Sequence, residues 1–253
     1  MGAKKQRRLS QSAVFYVPVS VILIVALFVF GISVFLKVHE IEVEGSTVYT
    51  VEDILSASGI TPGENMLFMN VEAAEKNISS DKPYIKNVKI SRRPPSGIHI
   101  EVTESTALGT IIYQDKVLII DSECRLLKIT DSVPDGLIEV RGFTPNTPVE
   151  GSSLKAELGD ETQLDFLIKA LVAIEKEGIE KDVSYLDISI ISKINFGYMG
   201  RFKVILGGLS NARSRISQLP EIVTKLEAET SVNVKGEIDL SDTSGDGHFT
   251  PNK

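Results

Sequence analysis

Alternating and helical patterns follow one another along the chain and predict a small mixed domain after residue 37. The run Val38–Glu44 alternates apolar and polar residues, which predicts a strand. Thr50 supplies an N-cap for one short helix, and Asn70 can cap a second. Two more alternating runs, Tyr84–Arg92 and Ile98–Val102, predict strands. The predicted order is therefore β-α-α-β-β.

Between the last two runs, KISRRPPSGIHIEVTES combines two arginines with two prolines, which suits either a basic patch or a packed hairpin. We interpret it as a hairpin, because the missing backbone N–H of proline costs least in a turn. The arginines would then point to solvent or to acids such as Glu101. The apolar residues would form one face of each run: Ile85, Val88 and Ile90, then Ile98, Ile100 and Val102. This turn is a secondary candidate for partner binding, through Arg92, Arg93, Pro94 and Pro95.

The second half of the chain predicts a larger mixed domain. Short strand-like runs fill 108–140, and Glu161–Glu177 carries a helical apolar stripe. Further strands and a helical stretch interrupted at Pro220 follow. KGEIDLS is the last predicted strand, with Ile238 and Leu240 on one face and the acids on the other. As an edge strand it would invite a partner strand, so it is the main candidate for partner binding. The candidate residues are Lys235, Gly236, Glu237, Ile238, Asp239, Leu240 and Ser241.

No charge interrupts the apolar run Ala13–Leu36, which is long enough to span a bilayer. A signal peptide has a shorter apolar region and a small-residue cleavage site, neither of which is seen here. The preceding segment, 1–12, has four basic residues and no acid. By the positive-inside rule we expect a cytoplasmic N-terminus, with everything after Lys37 outside.

The charge distribution and the absence of known motifs limit the kinds of partner and site that the chain could have. The formal net charge is −7, and the only charged side chains before residue 38 are basic: Lys4, Lys5, Arg7, Arg8 and Lys37. The remainder is therefore more acidic still, which makes nucleic acid an unlikely partner. Cys124 is the only cysteine and is expected to be a small core residue. No familiar catalytic, phosphate-binding or metal-binding motif is present, and the calcium-like opening in 242–247 lacks its final Glu. We expect no catalytic residue, cofactor or metal.

The chain resembles the FtsQ/DivIB family of bacterial division proteins over nearly its whole length. The most specific match is PYIKNVKISRRPPSGIHIEVTES, and Ile120 and Asp121 fit the opening of an I-D-x-x-G pattern. Two positions depart from the family: Cys124 stands where Gly is usual, and Ser105–Ala107 lack an expected Arg and Pro.

The resemblance implies an α+β fold with one membrane span. The implied parts are a cytoplasmic tail (1–12), a transmembrane helix (13–36), a POTRA domain (37–105), a mixed α/β "β domain" ending in an edge strand (106–241) and a disordered tail (242–253). It also implies a non-enzymatic scaffold at the division site of the plasma membrane. Its partners would be small single-span coiled-coil proteins of the FtsL and DivIC/FtsB type. An anchored cell-wall enzyme using paired carboxylates and a POTRA-type transport or chaperone module remain alternatives.

Overall fold

The computed structural model describes residues 11–156, 161–208, 211–230, 233–241 and 247–251, with side chains from Tyr16 onward. The chain forms two compact units. The first contains the chain up to Ile78 together with Asn87–Thr103, and the second contains Ser79–Lys86 and the chain from Glu104. Most of the predicted basic tail lies outside the described residues. The domain boundaries proposed from the sequence stay predictions.

A long apolar helix and a three-stranded sheet with two short helices make up the first unit. The sheet order is β1-β3-β2, and β1 runs parallel to β3, with Glu40 opposite Gly97. The elements are α1 (Gln11–Phe35), β1 (Glu40–Glu44), α2 (Val51–Ser58), α3 (Val71–Asp81), β2 (Ile85–Arg93) and β3 (Gly97–Glu104). The last residues of α3 and the first residues of β2 belong to the second unit. The order after α1 is the predicted β-α-α-β-β.

The caps predicted for the two short helices are present. The Thr50 side chain accepts a hydrogen bond from the Asp53 N–H at 3.2 Å, and the Thr50 N–H donates to the Asp53 carboxylate at 3.1 Å. This reciprocal pair satisfies two N–H groups at the start of α2. The Asn70 side chain accepts from the Ala73 N–H at 3.1 Å at the start of α3. These local bonds explain why both helices begin where the sequence predicts.

The core of the first unit is built from isoleucines of the helices and the hairpin. Ile54, Ile78 and Ile98 are fully buried or nearly so. Ile90 is buried as predicted, whereas Val88 is only half-buried. Ile85 is also buried, but its segment belongs to the second unit. Successive side chains of a strand point to opposite faces, so residues 85 and 90 do not share a face, and the single predicted face for this run is wrong.

A nine-stranded mixed sheet dominates the second unit, in the order β12-β11-β10-β9-β8-β7-β4-β5-β6. Its strands are β4 (Gly109–Tyr113), β5 (Lys116–Ile120), β6 (Leu126–Thr130), β7 (Ile138–Arg141), β8 (Val183–Asp187), β9 (Ile194–Tyr198), β10 (Phe202–Gly207), β11 (Gly236–Asp239) and β12 (His248–Pro251). Its helices are α4 (Glu161–Lys176), α5 (Ala212–Ile216) and α6 (Leu219–Glu229). With the first unit, this architecture confirms the predicted α+β class.

One continuous apolar core lies between these helices and one face of the sheet. Leu167, Leu171 and Ile174 of α4 are fully buried in it, together with strand residues such as Phe196 and Ile238. The opposite face is polar at β7 and β8, where Arg141 lies over the Tyr185 ring at 4.3 Å from its centroid. At β5 and β6 the opposite face also holds buried apolar residues, Val117, Ile119 and Leu127.

A tight turn after β5 is organised by Asp121. Its carboxylate accepts from the N–H groups of Glu123 and Arg125 at 2.9 and 2.8 Å, and from the Ser105 hydroxyl at 2.8 Å. Cys124 has a φ of 58°, the left-handed conformation that favours glycine. Its side chain is fully buried, as the sequence predicts for a core thiol, and burial, together with the nearby Asp121 charge, raises the pKa of Cys124.

Candidate partner-binding surface

The strand predicted as the main binding candidate is present, but it is not at the edge of the sheet. β11 pairs in parallel with β10, with Phe202 opposite Gly236. On its other side it pairs antiparallel with β12, with Asp239 opposite His248. The predicted edge position of residues 235–241 is therefore wrong, and so is a fully disordered tail after residue 241. The end of the sheet lies one strand further on, at β12.

Little in the local sequence indicates β12. HFTP contains one strongly apolar residue, Phe249, and so shows no alternation of the kind that identifies a strand. The preceding stretch is rich in Gly, Asp and Ser, which favours a loop or tail. Residues 242–246 lie outside the described residues. A tertiary contact positions β12, and the local sequence pattern contains no information on such a contact.

That contact is the packing of Phe249 onto the second unit's core. The ring lies edge-to-face with Phe202, with 6.4 Å between centroids, and Phe249 stands opposite Ile238 in the register. Gly236 makes room for the ring, since a Cβ there would lie 2.5 Å from one of its carbons. An aromatic pair of this kind contributes about 0.5–1.5 kcal/mol beyond its buried area. Phe249 is thus the side chain that fastens β12 to the sheet.

The alternation of backbone groups shows which groups β12 presents outward. The N–H groups of Gly236 and Leu240 donate to carbonyls on the β10 side, at 3.3 and 2.8 Å. Alternate residues of a strand turn their backbone groups to opposite sides, so Glu237 and Asp239 turn theirs to β12. Their partners in the register are Thr250 and His248. The backbone groups of Phe249 and Pro251 must therefore point away from the sheet.

This outward edge is short and has few donors. Proline has no N–H, so Phe249 supplies the outward N–H within the four-residue strand, and both residues supply carbonyls. Short edge strands that contain proline resist indiscriminate pairing. A partner strand would have to match this sparse pattern, which favours selective binding over general aggregation.

The side chains of β11 behave as the alternation predicts. Ile238 and Leu240 are buried, whereas Glu237 and Asp239 are half-buried and Lys235 and Ser241 are exposed. Glu237 forms an ion pair with Lys203 at 3.2 Å on the solvent face. The Asp239 carboxylate accepts from the Ser241 N–H at 2.8 Å. The acids therefore help to order β11 locally and are not directed at the outer edge.

Charge on this solvent face is balanced within the sheet. Burial alone would raise the pKa of Asp187, but hydrogen bonds from Ser189 and the charges of Arg141 and Lys203 lower it below the ordinary value. The hydrogen bond from Arg141 likewise lowers the pKa of Glu139. Both carboxylates are therefore ionised at neutral pH, and each has a basic neighbour.

A buried arginine holds the ends of β10 and β11 together, and sequence reasoning missed it. The Arg215 guanidinium donates to the Leu206 carbonyl at 2.5 Å, to the Leu240 carbonyl at 3.0 Å and to the Gly208 carbonyl. The residue is 8% exposed, and burial lowers the pKa of its guanidinium. α5 is only five residues long, so its arginine resembles any solvated charge in the sequence. Arg215 indirectly supports the strand on which β12 is built.

The secondary candidate, the turn at Arg92–Pro95, is committed to contacts inside the first unit. The Arg92 guanidinium donates to the carbonyls of Met66 and Met69 at 2.6 and 2.9 Å. Arg93 forms an ion pair with Glu42 of β1, not with Glu101. Pro94 and Pro95 are exposed. The hairpin interpretation is correct, and the two guanidinium groups are engaged within the unit.

No group of three or more His, Cys, Asp or Glu side chains suited to a metal ion occurs among the residues that the structure describes. One helix within the same ranges is long and apolar enough to cross a membrane, with its span at Tyr16–Phe35. It fits a transmembrane anchor.

Comparison with known proteins gives consistent matches. Residues 36–105 match the model of the FtsQ-type POTRA domain. The chain is 28% identical over 228 residues to a cell division protein DivIB of Clostridium botulinum, covering 86% of this chain and 87% of the relative. It is 26% identical over 208 residues to the DivIB of Clostridium acetobutylicum, covering 82% and 80%. A cell division protein FtsQ of Corynebacterium glutamicum is 37% identical over 107 residues, covering 42% and 47%.

Proposed function

These matches support membership of the chain in the FtsQ/DivIB family of cell-division proteins, and on that premise we propose that it is a membrane-anchored, non-enzymatic scaffold of the division machinery. α1 holds the chain in the plasma membrane at the division site, with the N-terminus in the cytoplasm and the chain after α1 outside. The units bind small single-span coiled-coil proteins of the FtsL and DivIC/FtsB type. Release of wall fragments by the purified chain would refute the non-enzymatic part.

The observation that carries the binding proposal is the outer edge of β12. It ends the nine-stranded sheet, and its outward backbone groups have no neighbouring strand within the described residues. An extended segment of a partner can add itself there as a further strand, with main-chain hydrogen bonds supplying affinity. The binding site predicted at residues 235–241 is thus replaced by 248–251, with β11 as its support.

The selectivity of this edge follows from its composition. A partner strand gains one N–H donor, from Phe249, and carbonyl acceptors from Phe249 and Pro251. The exposed side chains of His248 and Thr250 flank that donor. Since few main-chain bonds are available, the partner's side chains must contribute to the affinity.

Two substitutions at one position test the strand addition. Phe249→Pro removes both the ring and the outward N–H, whereas Phe249→Ala removes only the ring. We expect the proline variant to capture FtsL and DivIC type proteins at least several-fold more weakly than the alanine variant. The measurement is quantitative pull-down of the full-length chain in detergent, with thermal melting to confirm that both variants fold equally. Equal capture by the two variants would show that the Phe249 N–H is not used, and strand addition at this edge would be refuted.

A further inference from the structure

A short apolar segment of the first unit, Met66–Met69, is half buried and half exposed in an unusual pattern. The outer two residues are buried, with Met66 0% and Met69 5% exposed. The inner two are exposed, with Leu67 at 49% and Phe68 at 81%. Among the described residues Phe68 is the most exposed large hydrophobic side chain, including those of α1. We call Leu67 and Phe68 the apolar tip.

The apolar tip is held firmly beside the C-terminal end of α1. The Asn65 side chain donates to the Ile32 carbonyl at 3.0 Å, in the last turns of the helix. The Met66 N–H donates to the Leu36 carbonyl at 2.9 Å. On the other side, the Arg92 guanidinium binds the carbonyls of both flanking methionines. The backbone of the tip is therefore fixed from both sides, and its exposure does not come from a loose loop.

The length of α1 sets the depth of this tip in the bilayer. The apolar span Tyr16–Phe35 has 20 residues, which at about 1.5 Å per residue is about 30 Å, the thickness of a hydrocarbon core. The last turn of α1 then lies at the boundary between acyl chains and headgroups. Phe68 is three residues from Asn65, so it lies within about 10 Å of the groups that bind that turn.

Polar groups of the same region match the headgroup layer. Lys37 and His39 follow α1 directly and are exposed. The β2–β3 turn is on the same side of the unit, because the Ser96 carbonyl accepts from the His39 N–H at 2.9 Å. Basic residues next to exposed Phe and Leu are the composition of segments that lie in a membrane interface.

We propose that the apolar tip inserts into the interfacial region of the leaflet at the C-terminal end of α1, so that the first unit touches lipid at a second point. The proposal rests on the membrane anchoring proposed above. We favour lipid as the partner of the apolar tip, because the tip lies beside the C-terminal end of α1. Lipid surrounds a single membrane-spanning helix at that depth even when no protein partner is bound.

The absence of tryptophan from the chain makes a clean test possible. Phe68→Trp places a single fluorophore at the tip. Phe28→Trp places it in the middle of α1, and Val51→Trp is the matched control. Val51 is 46% exposed and lies beyond the far end of β1, a strand of about 16 Å. Each full-length variant is reconstituted alone into nanodiscs containing phospholipids brominated near the carbonyl end or near the methyl end of the chain.

We expect the Phe68→Trp emission to shift to the blue and to be quenched several-fold more than Val51→Trp by the lipid brominated near the carbonyl end. Phe28→Trp should be quenched by the lipid brominated near the methyl end. If Phe28→Trp is quenched while Phe68→Trp behaves like Val51→Trp, the anchor stands and the tip proposal is overturned. If none is quenched, the anchoring itself fails, and the tip proposal fails with it.

A partner protein is the remaining occupant. A blue shift of Phe68→Trp that occurs only after a single-span partner is added to the same nanodisc would make the tip a protein contact and overturn the proposal. Unchanged melting of Phe68→Trp relative to the native chain checks that the fold is intact.

Discussion

Replacing Arg215 by methionine should destabilise the second unit and loosen the strands that carry the binding edge. Methionine retains most of the volume and the unbranched stem of arginine but has no donor. The carbonyls of Leu206 and Leu240, in residues that are buried, would lose the guanidinium bonds of 2.5 and 3.0 Å.

The magnitude follows from the number of acceptors left without a donor. An unsatisfied buried carbonyl costs about 1–3 kcal/mol, and the substitution leaves two. Part of this is offset, because the variant no longer has to bury a guanidinium ion. We therefore expect a loss of about 2–4 kcal/mol in the free energy of unfolding. In a unit of this size that corresponds to a decrease in Tm of about 5–15 °C.

The neighbouring Arg213 provides a matched control in the same helix. Its side chain is 66% exposed and pairs with Glu177 at 2.6 Å, so Arg213→Met should change stability by less than about 0.5 kcal/mol. The assay is thermal melting of the full-length chain in detergent, supported by hydrogen exchange of the β11 amides. Equal melting of the two variants, with unchanged exchange in β11, would refute the role given to Arg215.

Two further predictions concern topology and the buried thiol. Protease added outside intact protoplasts should digest residues 38–253 and spare the N-terminal tail; complete protection of the two units would contradict the proposed orientation. Cys124 should react with a thiol reagent only when the protein unfolds, because its thiol is fully buried and burial raises its pKa. Its contribution to stability should be complete below pH 9.0, the ordinary value, and should decrease above it by up to about 1.4 kcal/mol per pH unit, since the unfolded thiol loses its proton first. Cys124→Gly should remove that slope between pH 9.0 and 10.0, below the range in which the buried Tyr198 contributes, and an unchanged slope there would assign the pH dependence to another group.

What the sequence predicted well depends on local bonds. The capping pair of Thr50 and Asp53 and the cap from Asn70 are determined by residues three positions apart, so both short helices were identified correctly. The alternation in Ile98–Val102 and in Ile238–Leu240 correctly identified their buried faces. In each case the residues that determine the structure lie within one short segment of the sequence.

What the sequence did not predict depends on contacts between distant segments. β12 is held by the contact of Phe249 with Phe202, and Arg215 is buried because three carbonyls converge on it. The sequence grouped Ile85 with Val88 and Ile90, whereas the folded chain buries it in a segment that belongs to the second unit. Hydrophobicity identifies a residue that will be buried, but the partner that buries it is determined by the folded chain.

The bond from Asn65 to the Ile32 carbonyl has a mechanical consequence for the anchor. Only residues 36–39 separate α1 from β1, and Met66 is bonded to Leu36 within that short connection. We therefore expect the connection to transmit rotation, so that α1 and the β1-β3-β2 sheet turn together about the helix axis. A neighbouring helix that rotates α1 within the membrane would thereby change the direction in which the first unit faces.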